Sequence, residues 1–192
     1  MDHRTTIAIA TAEGERSVVI RPVRQDDPIS DITALLHRAY RPLADMGLRF
    51  LATYQDDDTT RERLFDGMGF VAILDDVIVG TVSAYAASNA EECAWYRNAG
   101  VWCFGQFAVE PDLQQSGLGS AMLRFVEDLS RREGGLELAL DTSEQATHLI
   151  DYYTRRGFRF VAYVKWPSTN YRSVVLSKNL GNGDVTISDA DR

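Results

Sequence analysis

Phe107-Ala108-Val109-Glu110-Pro111-Asp112-Leu113-Gln114-Gln115-Ser116-Gly117-Leu118-Gly119-Ser120 joins two different periodicities. Upstream, residues 101–109 form an uncharged run of aromatic and aliphatic side chains that reads as a strand. Downstream, Leu118, Ala121, Met122, Phe125 and Leu129 recur at helical spacing, with Arg124, Glu127, Asp128 and Arg131 on the other face. The junction is therefore strand, loop and first turn of a helix. The first N–H groups of a helix have no intrahelical acceptor and sit at the positive end of its dipole. Gly117 and Gly119 have no β-carbon, so a ligand can come up to the main chain. A diphosphate suits such a place. Taken alone, Gly-x-Gly is better explained by an ordinary strand-to-helix turn with two convenient glycines.

The wider pattern decides between the two. Gln114-Gln115-Ser116-Gly117-Leu118-Gly119 fits Gln/Arg-x-x-Gly-x-Gly/Ala, with Val109-x-Pro111 before it. This resembles the acetyl-coenzyme-A signature of the GNAT superfamily of N-acetyltransferases. A Rossmann fingerprint would place glycine where Met122 stands, and a Walker loop would need Gly-Lys-Ser/Thr, which is absent. A second segment, Tyr153-Thr154-Arg155-Arg156-Gly157-Phe158, resembles the Tyr-x-x-x-Gly-Phe stretch near the end of GNAT domains. The two lie about one βαβα unit apart.

The resemblance implies an α/β (mixed α+β) fold: a central mixed, mostly antiparallel sheet flanked by helices, with two parallel neighbours, about 101–109 and 136–141, splaying apart. It implies acetyl-CoA as co-substrate, with pantetheine on the main chain of Phe107, Ala108 and Val109. The diphosphate would rest on the N–H groups of Gln115, Ser116, Gly117, Leu118, Gly119 and Ser120, with Gln114 heading the signature. It implies direct attack by a primary amine of a small molecule or peptide on the thioester. That chemistry needs a neutral amine, a stabilised oxyanion and a proton for the leaving thiolate. The Val109 amide suits the oxyanion. Tyr153, a phenol of reference pKa ~10, can protonate the thiolate; its other reading is a core aromatic. Glu110, Glu91, Glu92 and Asp141 are unranked candidates for the base, beside a water chain. Another class of function on the same scaffold is a non-catalytic acyl-CoA-binding sensor, and transfer of a longer acyl group is a third reading.

Composition sets bounds. With 192 residues, 45% apolar and 25% charged, the chain suits one globular domain, placed at 17–178 after a loose lead-in (1–16) and before a disordered tail (179–192). No run approaches the ~20 apolar residues of a membrane span, no secretion signal is evident, and a cytoplasmic location is expected. A net charge of −8 disfavours nucleic acid as a partner and mildly favours a cationic acceptor. Cys93 and Cys103 read as free thiols, and a buried Cys103 is preferred to an acylated one. No metal is expected: His3, His37 and His148 show no ligand spacing, and Asp56-Asp57-Asp58 reads as a solvated run. A homodimer is left open.

Along the chain, strands are expected at 17–23, 70–74, 77–82, 136–140, 158–166 and 171–177, with Asp75-Asp76 turning a hairpin. A helix carries Ile32, Leu35, Leu36 and Ala39; a second covers 41–54; a short one covers 60–66. Thr142-Ser143-Glu144-Gln145 offers a capping box for a helix burying Ala146, Leu149, Ile150 and Tyr153. Tyr40, Phe50, Tyr54, Trp95, Trp166 and Tyr171, with Asp45, are candidates for an acceptor wall.

Overall fold

The computed structural model describes residues 3–12, 14–86 and 91–181. Its strands are β1 (Thr5–Thr11), β2 (Gly14–Pro22), β3 (Met68–Leu74), β4 (Val77–Tyr85), β5 (Val101–Val109), β6 (Glu137–Ser143), β7 (Arg159–Val164) and β8 (Ser173–Asn179). Its helices are α1 (Ile29–Asp45), α2 (Asp57–Phe65), α3 (Ala94–Arg97), α4 (Leu118–Arg132) and α5 (Thr147–Thr154). One eight-stranded sheet runs in the order β1-β2-β3-β4-β5-β6-β8-β7, antiparallel throughout except for β5 and β6. The mixed, mostly antiparallel architecture is thus as expected.

The sheet divides the interior. On one face Leu118, Met122, Val126 and Leu129 of α4 pack with Phe70, Leu138 and Phe158. On the other, Ile32, Leu35 and Leu36 of α1 and Leu64 of α2 cover Val71 and Ala108. Each such side chain contributes about 1.5–3 kcal/mol when removed from water. At the β3–β4 turn Asp75 and Asp76 take φ of 50° and 65°, the left-handed pair that a two-residue hairpin requires.

Four expectations need correction. Residues 1–16 are not a loose lead-in, because 5–11 form β1, paired along its length with β2. Ile7 and Ile9 alternate with Thr6, Ala8 and Ala10; the alanines hide a two-residue period whose inner member, Ile9, is buried. The helix expected over 41–54 does not form. α1 runs on to Asp45 despite Pro42, and Gly47, at φ 76°, closes it; only Leu51–Thr53 turns again, as one 3-10 turn. The capping box at 142–145 is absent, because Thr142 and Ser143 stay in β6, paired with Val174 and Ser173 of β8. Helix α5 starts at Thr147 with no side-chain cap. The tail begins later than 179: Asn179 ends β8, and Leu180 is buried with its carbonyl accepting from Arg131 Nε at 2.8 Å. The remainder of that expected tail, 182–192, lies outside the described residues.

Asp56 caps α2 by accepting from the Thr59 amide at 2.8 Å, and Asp57 and Asp58 fall in the first turn, where the helix dipole favours them. This acidic run is therefore structural.

Candidate active site

β5 and β6 are bonded over three rungs only: Val101↔Glu137, Trp102↔Leu138 and Cys103↔Ala139. Beyond them 104–109 and 140–143 continue without pairing to each other. The cause lies on the far edge of β5. Its pairing with β4 shifts between Thr81 and Ser83, and Gln106 takes φ 48°, so Gln106 and Phe107 together oppose Val82. A bulge of this kind bends and twists its strand. It is held by side chains: buried Gln106 donates to Ser83 Oγ at 3.1 Å and accepts from Gln55 Nε2 at 2.7 Å.

The bulge also aims the main chain. Glu110 N donates to the Val79 carbonyl on β4 at 2.8 Å. Because successive main-chain groups of a strand alternate sides, those of Val109 and Phe107 face away from β4, into the gap. The gap opens into a cavity of about 780 Å³ lined by Phe107, Ala108, Val109, Gln114, Gln115, Gly117, Gly119, Ser120 and Tyr153, among others. Ser116 and Leu118 of the same motif do not face it. Leu118 is fully buried in the core, and Ser116 Oγ instead accepts from the Leu118 amide at 3.3 Å while its carbonyl takes Ala10 of β1.

At the floor of the gap lies the start of α4. Gln115 and Gly117 have φ of 69° and 92°. Turns of this kind gather successive N–H groups into one anion-binding concavity. Among the described residues, the amides of Gln115, Gly117, Gly119 and Ser120 have no acceptor within the chain. Nothing lies within 4 Å of where a Gly117 β-carbon would stand. The positive φ, not crowding, makes glycine necessary there. A diphosphate fits this cradle. Arg156 adds a cation that sequence reasoning passed over: its Nη2 donates to Ser120 Oγ at 2.9 Å, and its guanidinium stacks on the Tyr152 ring at 3.5 Å.

Tyr153 sits across the gap on α5. Its ring packs between Phe104 and Phe158, while no hydrogen bond within the described residues engages its hydroxyl, which opens on the cavity. Burial pushes that phenol well above its ordinary pKa, so it stays protonated and able to donate.

The four carboxylates separate by position. Glu110 is held by Arg38 at 2.7 and 2.9 Å, and Glu91 and Glu92 are exposed away from the cavity. Asp141 alone of the four lines it, accepting from Trp166 Nε1 at 2.9 Å and Tyr96 Oη at 3.2 Å. Burial raises its pKa. Of the aromatic candidates, Tyr40, Phe50, Trp166 and Tyr171 line the cavity. Tyr54 stands outside, bonded to the Ser168 carbonyl at 3.1 Å. Trp95 packs beneath with Cys93 and Val101, and Asp45 pairs with Arg41 on the surface. Cys103 does not reach the cavity, and burial pushes its thiol up to about 12, which leaves no thiolate to acylate. Arg63 and Gln55 were not foreseen. Arg63 lines the cavity, and Nη1 donates to Gln55 Oε1 at 2.6 Å. The one signal in the sequence was Gln106, a long polar side chain within an apolar strand. Among the described residues no group of three potential metal ligands converges, and no helix is long and apolar enough to cross a membrane.

A splayed parallel pair with a helix N-terminus beneath it defines an acyl-CoA-dependent transferase scaffold. The sequence model of the acetyltransferase (GNAT) family matches residues 30–158, and the chain belongs to that family. It is an acyltransferase by that membership, and acetyl-CoA is the co-substrate the family uses. It is 27% identical over 130 residues to the S-(2-succino)cysteine N-acetyltransferase of Bacillus subtilis (strain 168), covering 63% of this chain and 72% of that one. Its fold matches the GNAT domain of S. lividans PAT with a TM-score of 0.67 at 16% identity, over 92% of this chain and 97% of that one. A GNAT family acetyltransferase from Elizabethkingia anophelis, solved with acetyl-CoA bound, matches with a TM-score of 0.57 at 15% identity, over 84% and 97% of the two chains.

Proposed function

We propose that the protein transfers the acetyl group of acetyl-CoA to a primary amine of a small molecule or peptide by direct attack. One observation carries this reading: a single cavity joins the unpaired amides at the start of α4, the open edge of β5, Tyr153 and Asp141. Gln115, Gly117, Gly119 and Ser120 hold the diphosphate, assisted by Arg156, and pantetheine runs along Phe107 to Val109. The amine arrives as an ammonium ion. Asp141, whose pKa burial has raised, takes one proton from it. The nitrogen lone pair then forms the C–N bond at the thioester carbon, where the Val109 N–H receives the developing oxyanion. As the C–S bond breaks, sulfur takes the phenolic proton of Tyr153, and the phenol recovers one from the acylated nitrogen. The balance is an amide, a free thiol and one released proton.

The Bacillus subtilis relative, an S-(2-succino)cysteine N-acetyltransferase, is in keeping with an amine acceptor. The test is an amine panel with acetyl-CoA, following free thiol and acylated product. Thiol release that depends on an acceptor is expected. Tight acetyl-CoA binding with no release for any amine would instead make the protein a sensor.

A further inference from the structure

The acceptor half of the cavity carries two opposite charges that do not meet. Asp141 stands on β6 and Arg63 on α2; both line the cavity, and no ion pair joins them. Their placement follows from the sheet. Gly105 and Asp141 lie two residues beyond the last bonded rung, Cys103↔Ala139, so both face the side of the sheet where those two residues pack. There the strands have already parted. The Arg63 guanidinium lies over Gly105, with Nη2 3.2 Å from where a β-carbon would stand. A residue larger than glycine would displace it.

Arg63 forms no ion pair with a carboxylate among the described residues. Arg21, Arg38, Arg159 and Arg172 each pair with a carboxylate, respectively Asp27, Glu110, Glu137 and Glu144. Arg63 is held by a neutral amide instead, that of Gln55, which Gln106 and Thr60 fix in turn, each at 2.7 Å. Its guanidinium also lies against the Tyr85 hydroxyl. A planar fork of donors held without a counterion at a cavity wall matches a carboxylate. Asp141, held by Trp166 and Tyr96, presents the complementary charge across the opening.

Resting on the transferase reading above, we propose that the acceptor is a small zwitterion, a primary amine bearing its own carboxylate, with the ammonium on Asp141 and the carboxylate on Arg63. Amino acids and their derivatives are that class. Two fixed charges then orient the nitrogen toward the thioester and reject amines that lack the acid. A site that hydrogen-bonds one substrate group leaves its own donors unpaired when that group is missing, and so discriminates strongly.

The test is calorimetry on the CoA-loaded protein, where no turnover occurs, with the L-amino acids and, for each, its amide and its decarboxylated amine. Amino acids are expected to bind at least about tenfold more tightly than either analogue. Arg63→Gln should erase that preference and Arg63→Lys should retain part of it, with CoA affinity as the check on folding. Amides or plain amines binding as well as the amino acids would overturn the proposal, as would no binding by any of the three groups. Thiol release from carboxylate-free amines would sink this assignment while upholding acetyl transfer. A preference for zwitterions in the calorimeter with no thiol release from acetyl-CoA would do the reverse.

Discussion

The two halves of the cavity are built by different means. The half under α4 is made of main chain: four unpaired amides between Gln115 and Ser120, and the open edge of β5. The other half is made of side chains from α1, α2, β6 and the β7–β8 connection: Tyr40, Arg63, Asp141, Trp166 and Tyr171. A backbone cradle cannot be retuned by exchanging one side chain, but it can be destroyed by adding one. A side-chain wall can be retuned position by position. A common donor on the first half and a variable acceptor on the second suit that division.

The largest effect should come from adding a side chain to the first half. Gly117→Glu combines a left-handed φ, costing roughly 1–2 kcal/mol for a non-glycine residue, with a carboxylate set against the diphosphate. Acetyl-CoA affinity should fall by at least about 100-fold by calorimetry. Gly117→Ala, which lacks the charge, should lose only about 5–30-fold. An acetyl-CoA site indifferent to both would end the contrast, because the cradle would then not be the binding site.

Tyr153→Phe tests the boundary between the halves. Its ring contacts with Phe104 and Phe158 survive the change, and only the proton is removed. We expect kcat to fall by about 100-fold, within the usual range for a positioned acid. Acetyl-CoA affinity should hold within about twofold, since the cradle does not use the phenol. Unchanged turnover would leave Tyr153 a packing residue. Loss of affinity alongside turnover would place it in the cradle.

How much could be read from the sequence follows the same division. A main-chain site must be contiguous, and it must spend glycine where φ is positive, so 114–119 and the strand before it gave fold and co-substrate together. Residues 107–109 and 115–120 stand in one place because one strand–loop–helix unit holds them. Arg63, Gln55 and Asp141 are far apart in the chain and converge through the Gln106 bulge, a backbone event whose one trace in the sequence is a long polar side chain within an apolar strand. Asp141 was one of four equal carboxylates until its position across the splay separated it from Glu110, which Arg38 holds outside. The missing capping box teaches a related point: local chemistry at 142–145 favoured a helix start, and cross-strand pairing with β8 outcompeted it.

Among the described residues Arg156 is the one cation lining the main-chain half, and it sharpens the comparison because it should matter moderately. Its guanidinium is already bonded to Ser120 and stacked on Tyr152, so under the proposed binding mode it would reach the phosphates as a supporting charge. Arg156→Gln should weaken acetyl-CoA binding by about 3–10-fold and flatten its dependence on salt. A 100-fold loss would mean that charge, and not the amides, dominates that half.

The smallest effect is one of stability. Burial raises the Asp141 pKa in the folded protein, so the folded state holds that proton more tightly than the unfolded chain does. This contribution is favourable below the ordinary carboxylate pKa and is lost as pH rises through the raised value. Once ionised, the carboxylate therefore costs stability, only partly offset by Trp166 and Tyr96. Asp141→Asn keeps an acceptor oxygen and removes the charge. It should melt higher than the parent protein at pH 8, with the gap closing as pH falls toward 4; each kcal/mol reads as about 2–4 °C in a chain of this size. The same variant should lose amine transfer, so stability and activity move in opposite directions, as expected of a group kept for its chemistry. A variant that melts lower at pH 8 would make Asp141 a structural anchor for the Trp166 and Tyr96 side chains, and the acceptor half would then lack its proton acceptor.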